Sequence, residues 1–129
     1  MDLKFKRQER LQSKRQIEQV LQDGSSFHIH PFKVFHYSSE EIQPQNSSHL
    51  KIGISIPKRA FKKAVNRNLL KRRTREAIRL NKNPLKELLQ KGNINLWVFL
   101  IYTDKELLDY HGIEDKIILI LQRLQAIHG

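Results

Sequence analysis

The sequence contains no cysteine, which excludes disulfides and thiolate zinc sites and leaves no sign of an oxidising compartment. Long apolar runs are missing too. The longest, Leu96 to Tyr102, falls far short of the roughly 20 residues a membrane helix needs. The first residues, Met1-Asp2-Leu3-Lys4-Phe5-Lys6-Arg7, carry no apolar stretch of the signal-peptide kind. These absences predict a soluble, cytoplasmic protein with no membrane partner. Repeats and low-complexity tracts are also lacking. What remains is 129 residues, 39% of them hydrophobic, a size and composition that suit a single domain with its own core.

Acidic residues are scarce, 13 against 24 Lys and Arg, for a net charge of +11. The imbalance is local. Between Pro57 and Arg79 stand ten cations, Lys58, Arg59, Lys62, Lys63, Arg67, Lys71, Arg72, Arg73, Arg75 and Arg79, against one acid, Glu76. Elsewhere the signs nearly balance. Solvated faces usually mix signs, so a field this one-sided points to a polyanion. Nucleic acid fits best; an anionic membrane or an acidic protein is the alternative.

The periodicities predict a mixed fold. Ser13 to Gln16 reads as a capping box, with Ile17, Val20 and Leu21 as the stripe of a first helix and Gly24 as its stop. Phe27 to His30 reads as a short strand. Phe32 to Tyr37 reads as a longer one, with Phe32, Val34 and His36 on one face and Lys33, Phe35 and Tyr37 on the other. A polar loop follows over 38–49. Leu50, Ile52, Ile54 and Ile56 alternate with Lys51, Gly53 and Ser55, a strand with one face buried and one comparatively open, ended by Pro57. A helix is expected from Ala64 to Leu80, broken at Asn83-Pro84, with a further turn or two over Leu85 to Gln90. Asn95 to Tyr102 is continuously apolar, which predicts a central strand buried on both faces. Thr103 to Glu106 reads as a second capping box, interrupted by Gly112, and Ile113, Ile117, Ile120, Leu121, Leu124 and Ile127 mark a final helix. The class is α+β, a single-domain α-β-β-β-α-β-α sandwich with helices on one sheet face.

On a helical wheel of about 100° per residue, Arg67, Lys71, Arg75, Asn68, Arg79 and Arg72 fall within an arc of about 140°. Leu70, Thr74, Ala77 and Ile78 take a different arc. The charges thus form a stripe, with Lys58 and Arg59 just ahead of it at the strand end. Arginine binds phosphate bidentately and lysine adds point charge. Asn68 suits a ribose, a phosphate or a hydrated metal ion.

Two stretches, Ile52-Gly53-Ile54-Ser55-Ile56-Pro57-Lys58-Arg59 and Ala64-Val65-Asn66-Arg67-Asn68-Leu69-Leu70-Lys71-Arg72-Arg73-Thr74-Arg75-Glu76, strongly resemble the protein subunit of bacterial ribonuclease P. The helix motif of that family reads Arg-Asn-x-x-Lys-Arg-x-x-Arg-Glu. The specific part is 50–79, and the flanking elements extend the resemblance over 1–129 as one ribonuclease P protein domain. It implies a four-stranded sheet like that in a domain of a small-subunit ribosomal protein, with a left-handed β-α-β crossover. It further implies that the catalyst is an RNA, which removes the 5′ leader from precursor tRNA with magnesium ions held mainly by that RNA. No catalytic residue and no metal ligand are then expected in this chain. Its partners would be the catalytic RNA and precursor tRNA. Lys58, Arg59, Arg67, Asn68, Lys71, Arg72 and Arg75 would meet the catalytic RNA, joined by Lys62, Lys63 and Arg79 of the same basic segment. Ile17, Leu21, Phe35, Lys51 and Ser55 would line a leader cleft between the first helix and the open sheet face.

Two features depart from the family pattern: Leu69 stands where a second Arg usually follows the Asn, a loss that Arg73 or Arg79 can offset, and Ile17 and Leu21 stand where aromatics are common. Other readings remain open. Phe35 and Tyr37 can equally be core, and residues of the kind of Ile17 and Leu21 are more often core than cleft. His28 and His30 share a strand face and can bind a metal, but no third ligand is in sight. A ribosomal or general RNA chaperone shares the charge and fold type. A helix-turn-helix DNA binder is disfavoured by the strand directly before the basic helix.

Overall fold

The computed structural model describes residues 5–39 and 49–129. After a single 3-10 turn at Arg7–Glu9, the elements are α1 (Lys14–Asp23), β1 (Ser25–Ile29), β2 (Phe32–Ser39), β3 (Leu50–Ser55), α2 (Ala64–Asn81), α3 (Asn83–Gly92), β4 (Asn95–Tyr102) and α4 (Tyr110–His128). The strands form one sheet in the order β1-β2-β4-β3. β1 pairs antiparallel with β2 and β2 with β4, whereas β3 and β4 are parallel neighbours. The class and the order of elements are those expected, with α3 added before β4. Of the loop expected over 38–49, Ser38 and Ser39 extend β2, while 40–48 lie outside the described residues.

One face of the sheet carries the main core. Phe32 and Val34 of β2, Leu50 and Ile52 of β3, and Leu96, Val98, Leu100 and Tyr102 of β4 are buried against Leu70, Ala77 and Ile78 of α2, Leu85 and Leu89 of α3, and the Ile113–Leu124 stripe of α4. Each large apolar side chain so buried contributes roughly 1.5–3 kcal/mol over exposure. Ile127, expected in the same stripe, is exposed. Helices on one face therefore describes α2, α3 and α4. The first helix lies against the opposite face, where Gln19 Nε2 donates to the Tyr37 hydroxyl and Val20 is fully buried outside the main core.

Three expectations are corrected. β4 is central, but only one of its faces is fully buried; Trp97, Phe99 and Ile101 on the other are half-buried. No helix begins at Thr103. Its amide and hydroxyl both donate to the Pro31 carbonyl, at 2.7 and 2.9 Å, so the hydroxyl does not cap a helix. Asp104 instead closes a turn by accepting from the Lys105 and Glu106 amides. The last helix starts at Tyr110, where the Asp109 carboxylate accepts from the Gly112 amide at 2.8 Å; Gly112 belongs to the first turn and interrupts nothing. Finally, Pro84 sits in the first turn of a full ten-residue helix, α3, where its missing N–H has no partner to lose.

Candidate nucleic-acid interface

The basic stripe stands on α2, and the chain leading into it is shaped by hydrogen bonds. The Pro57 carbonyl accepts from the Ala60 and Phe61 amides, and the Lys63 carbonyl from Asn66 and Arg67. The N-cap residue, Lys63, makes no side-chain capping bond. Arg67 folds back instead, its Nη1 donating to the Phe61 carbonyl at 2.7 Å and the Lys62 carbonyl at 2.9 Å. It thus clamps the loop that presents Lys58, Arg59, Lys62 and Lys63, all exposed.

Five of the remaining predicted residues come together. Asn68, Lys71, Arg72, Arg75 and Arg79 line a basin of about 580 Å³ with Glu76, Phe5 and Arg10. Glu76 is taken by Arg79, whose Nε lies 3.0 Å from Oε2; that hydrogen bond holds the Glu76 carboxyl below, and the Arg79 guanidinium above, their ordinary pKa values. Among the described residues, no carboxylate pairs with Lys71, Arg72 or Arg75. Burial, and then the nearby Arg10 charge, lower the Arg75 pKa. Arg10 and Phe5 went unnoticed in the sequence because they stand more than fifty residues before the basic helix. Arg59 lies elsewhere, in a notch of about 260 Å³ shared with Lys105, Ile101 and Thr103 at the ends of β3 and β4.

The second sheet face collects the other predicted set. The register places Phe35 beside Phe99 and Phe99 beside Gly53, Tyr37 beside Trp97 and Trp97 beside Lys51, and Lys33 beside Ile101 and Ile101 beside Ser55. The result is an aromatic trough with cations at its edges. The Tyr37 and Trp97 rings are 6.0 Å apart, and Lys33 Nζ sits 5.1 Å from the Phe35 ring centre. Phe35, Lys51 and Ser55 are half-buried. On α1, Val20 takes the buried position, Ile17 is half-buried and Leu21 is 40% exposed. Trp97 and Phe99 were hidden by the apolar run of β4; their alternation with Leu96, Val98 and Leu100 was the available signal.

The two strand histidines do not converge on a shared site. His28 Nε2 is 3.2 Å from Thr103 Oγ1 and His30 Nε2 is 2.9 Å from Asp104 Oδ2, so each ties β1 to the turn after β4. Among the described residues, no three His, Asp or Glu side chains gather in a metal-binding group.

The family model described as Ribonuclease P matches residues 5–125. The chain belongs to the ribonuclease P protein family. The ribonuclease P protein component of Porphyromonas gingivalis strain ATCC 33277 is 35% identical over 106 residues, 82% of this chain and 75% of that protein. In fold, the RNase P protein of Staphylococcus aureus superposes with a TM-score of 0.70 at 21% identity, covering 89% of this chain and 94% of that one. The RNase P protein from Thermotoga maritima does so at 0.67 and 24%, covering 89% and 96%.

Set against the ribonuclease P motif, Leu69 is the departure, and the two arginines that could offset it both have partners within the chain. Leu69 is half-buried, Arg73 donates to the Leu108 carbonyl, and Arg79 is bound to Glu76. The ribonuclease P glycine in β3 is explained by contact: a Cβ on Gly53 would lie 2.7 Å from the Leu11 carbonyl oxygen and 2.9 Å from Phe99 Cδ1. Only glycine lets the N-terminal segment and the Phe99 ring close over this strand.

Proposed function

We propose that this chain is the protein subunit of ribonuclease P, binding the catalytic RNA through α2 and the 5′ leader of precursor tRNA across the aromatic trough. The observation that carries the reading is the separation of two unlike surfaces: a cationic basin on α2, and rings flanked by lysines on the far face of the sheet. Unpaired arginines suit backbone phosphates, which give affinity without sequence readout. Rings offer stacking to single-stranded bases, and edge lysines meet the phosphates between them. The site residues of both surfaces are those named from the sequence, with Tyr37, Trp97 and Phe99 added to the trough.

Cleavage itself is assigned to the RNA, with magnesium. The basin is poor in oxygen donors: among the described residues, Asn68 and Glu76 are its only side-chain oxygens, and Glu76 is engaged by Arg79. A hard cation wants about six oxygens, so the ions are proposed to sit on RNA phosphates. This chain's part is to neutralise charge near them.

The test is cleavage of precursor tRNA by a bacterial catalytic RNA at low magnesium, with and without the protein. The protein should restore leader removal, and RNA-free protein should leave precursor tRNA intact. Absence of rescue would favour a general RNA chaperone. Cleavage that survives nuclease treatment of the preparation would place the catalyst in the protein.

A further inference from the structure

The far wall of the basin is held in place by buried charge. Glu9 and Lys82 are both buried, with Lys82 Nζ 2.6 and 2.7 Å from the two Glu9 oxygens. Lys86 Nζ lies 2.8 Å from Oε2, and the Lys6 amide donates to Oε1 at 2.9 Å. Burial alone would raise the Glu9 pKa; the bonds from Lys82, Lys86 and Lys6 outweigh it and hold it low. Buried ion pairs rarely add much net stability over apolar residues of the same volume. What this one supplies is a fixed register for the 3-10 turn against the α2–α3 junction.

The next residues are pinned in a second direction. Arg10 bridges in parallel to Ile52 at the open edge of β3, and the Leu11 amide donates to the Ile52 carbonyl at 3.0 Å. The Arg10 guanidinium packs over the Phe5 ring at 5.7 Å and donates to the Phe5 carbonyl at 3.3 Å. Arg10 and Arg75 line both the basin and the narrow groove that continues from it along β3 to Gly53. Among the described residues, no carboxylate pairs with either guanidinium, and the Arg10 charge acts on Arg75; two such groups repel unless an anion joins them. A phosphodiester has the charge and the paired oxygens that arginine recognises.

We propose that Arg10 and Arg75 together clamp one backbone phosphate of the catalytic RNA, and that Glu9 is the positioning residue that holds Arg10 there through Lys82 and Lys86. The proposal rests on the reading that α2 binds this RNA, and adds a second wall that the helix motif does not contain.

The experiment measures affinity of the full-length protein for its cognate catalytic RNA across a salt series, with melting temperature alongside. Arg10→Ala should weaken binding roughly five- to tenfold, about 1–1.4 kcal/mol by the affinity relation. It should also reduce the salt slope by about 0.7–0.9, the value of one phosphate contact. Arg75→Ala should do the same, and the double variant should lose less than the sum, because both arginines serve one phosphate. Glu9→Gln should lower melting temperature and RNA affinity together; added to Arg10→Ala it should lower melting temperature again but affinity no further. A Glu9 of purely structural role would weaken binding equally in both backgrounds. If Glu9→Gln is too unstable to assay, the Arg10–Arg75 cycle decides the clamp alone. Arg72→Ala on the stripe and Lys91→Ala on the exposed end of α3 complete the set. Normal binding by Arg10→Ala with loss in Arg72→Ala overturns the clamp and leaves the α2 reading intact. Normal binding by both, matching Lys91→Ala, overturns the α2 reading itself.

Discussion

His36 and His128 are 92 positions apart in the chain, yet His36 Nδ1 and His128 Nε2 lie 3.1 Å from each other. The pair joins β2 to the end of α4, with the rings edge-on at 5.1 Å. Burial lowers both pKa values from the ordinary 6.5, and the charges of His128 and Arg123 lower His36 further. The unfolded chain therefore takes up protons first as pH falls, and folding stability declines from about pH 6.5 downward until the folded-state values are passed. Urea unfolding at pH 7.5 and 5.5 should show this decline in the wild type and a smaller one in His128→Gln, which removes one site and the repulsion on the other. Equal declines would trace the effect to other groups. Glu9 acts in a separate window. Its folded pKa is depressed, so its contribution is whole above the unfolded value of about 4.5 and is lost only below it. Neither contact was legible in the sequence: His36 showed its strand face through period-two alternation, but nothing local marks a partner that far along the chain.

At the scale of elements, α2 was legible almost to the residue, because its two arcs differ in kind: Leu70, Thr74, Ala77 and Ile78 are buried, and Lys71, Arg72, Arg75 and Arg79 line the basin. β4 was legible in extent and central place, not in its faces. A run without polar residues reads as buried on both sides, whereas α1 covers only part of the second face and leaves Trp97, Phe99 and Ile101 half-buried. The N-terminal segment along the β3 edge had no periodic signal at all. It is held there by the Leu11–Ile52 hydrogen bond and by the space Gly53 leaves. Gly53→Ala should therefore destabilise the fold by about 1–3 kcal/mol, the usual effect of overpacking, because the nearest obstacle is the Leu11 backbone and cannot rotate away. Urea unfolding measures it. An unchanged midpoint would mean that the segment yields easily.

For the whole molecule, the placement of basin and trough makes their contributions separable. Phe35→Ala and Trp97→Ala should each weaken precursor tRNA binding by the holoenzyme by about 1–3 kcal/mol if a base stacks there. Mature tRNA, which has no leader, should bind as before, and affinity for the catalytic RNA should hold. Equal losses for precursor and mature tRNA, or a change in melting temperature alone, would make these rings packing residues. Leu21 is exposed, so Leu21→Phe adds a ring without disturbing the core; if the leader passes α1, the change should tighten precursor binding alone.

By itself the sequence determined the type and order of nearly every element, the segregation of charge onto one helix face, and the ribonuclease P resemblance. Those are properties of neighbours in the chain, written by side-chain periods of 3.6 and 2. Only the tertiary structure decided which surfaces are shared. It set Arg10 with Arg75 around one basin, seated Lys82 on Glu9 across 73 residues, turned Arg67 and Arg73 inward to backbone carbonyls, and ranged the β4 rings with those of β2. Each of these depends on burial and pairing between distant segments, which local periodicity does not encode.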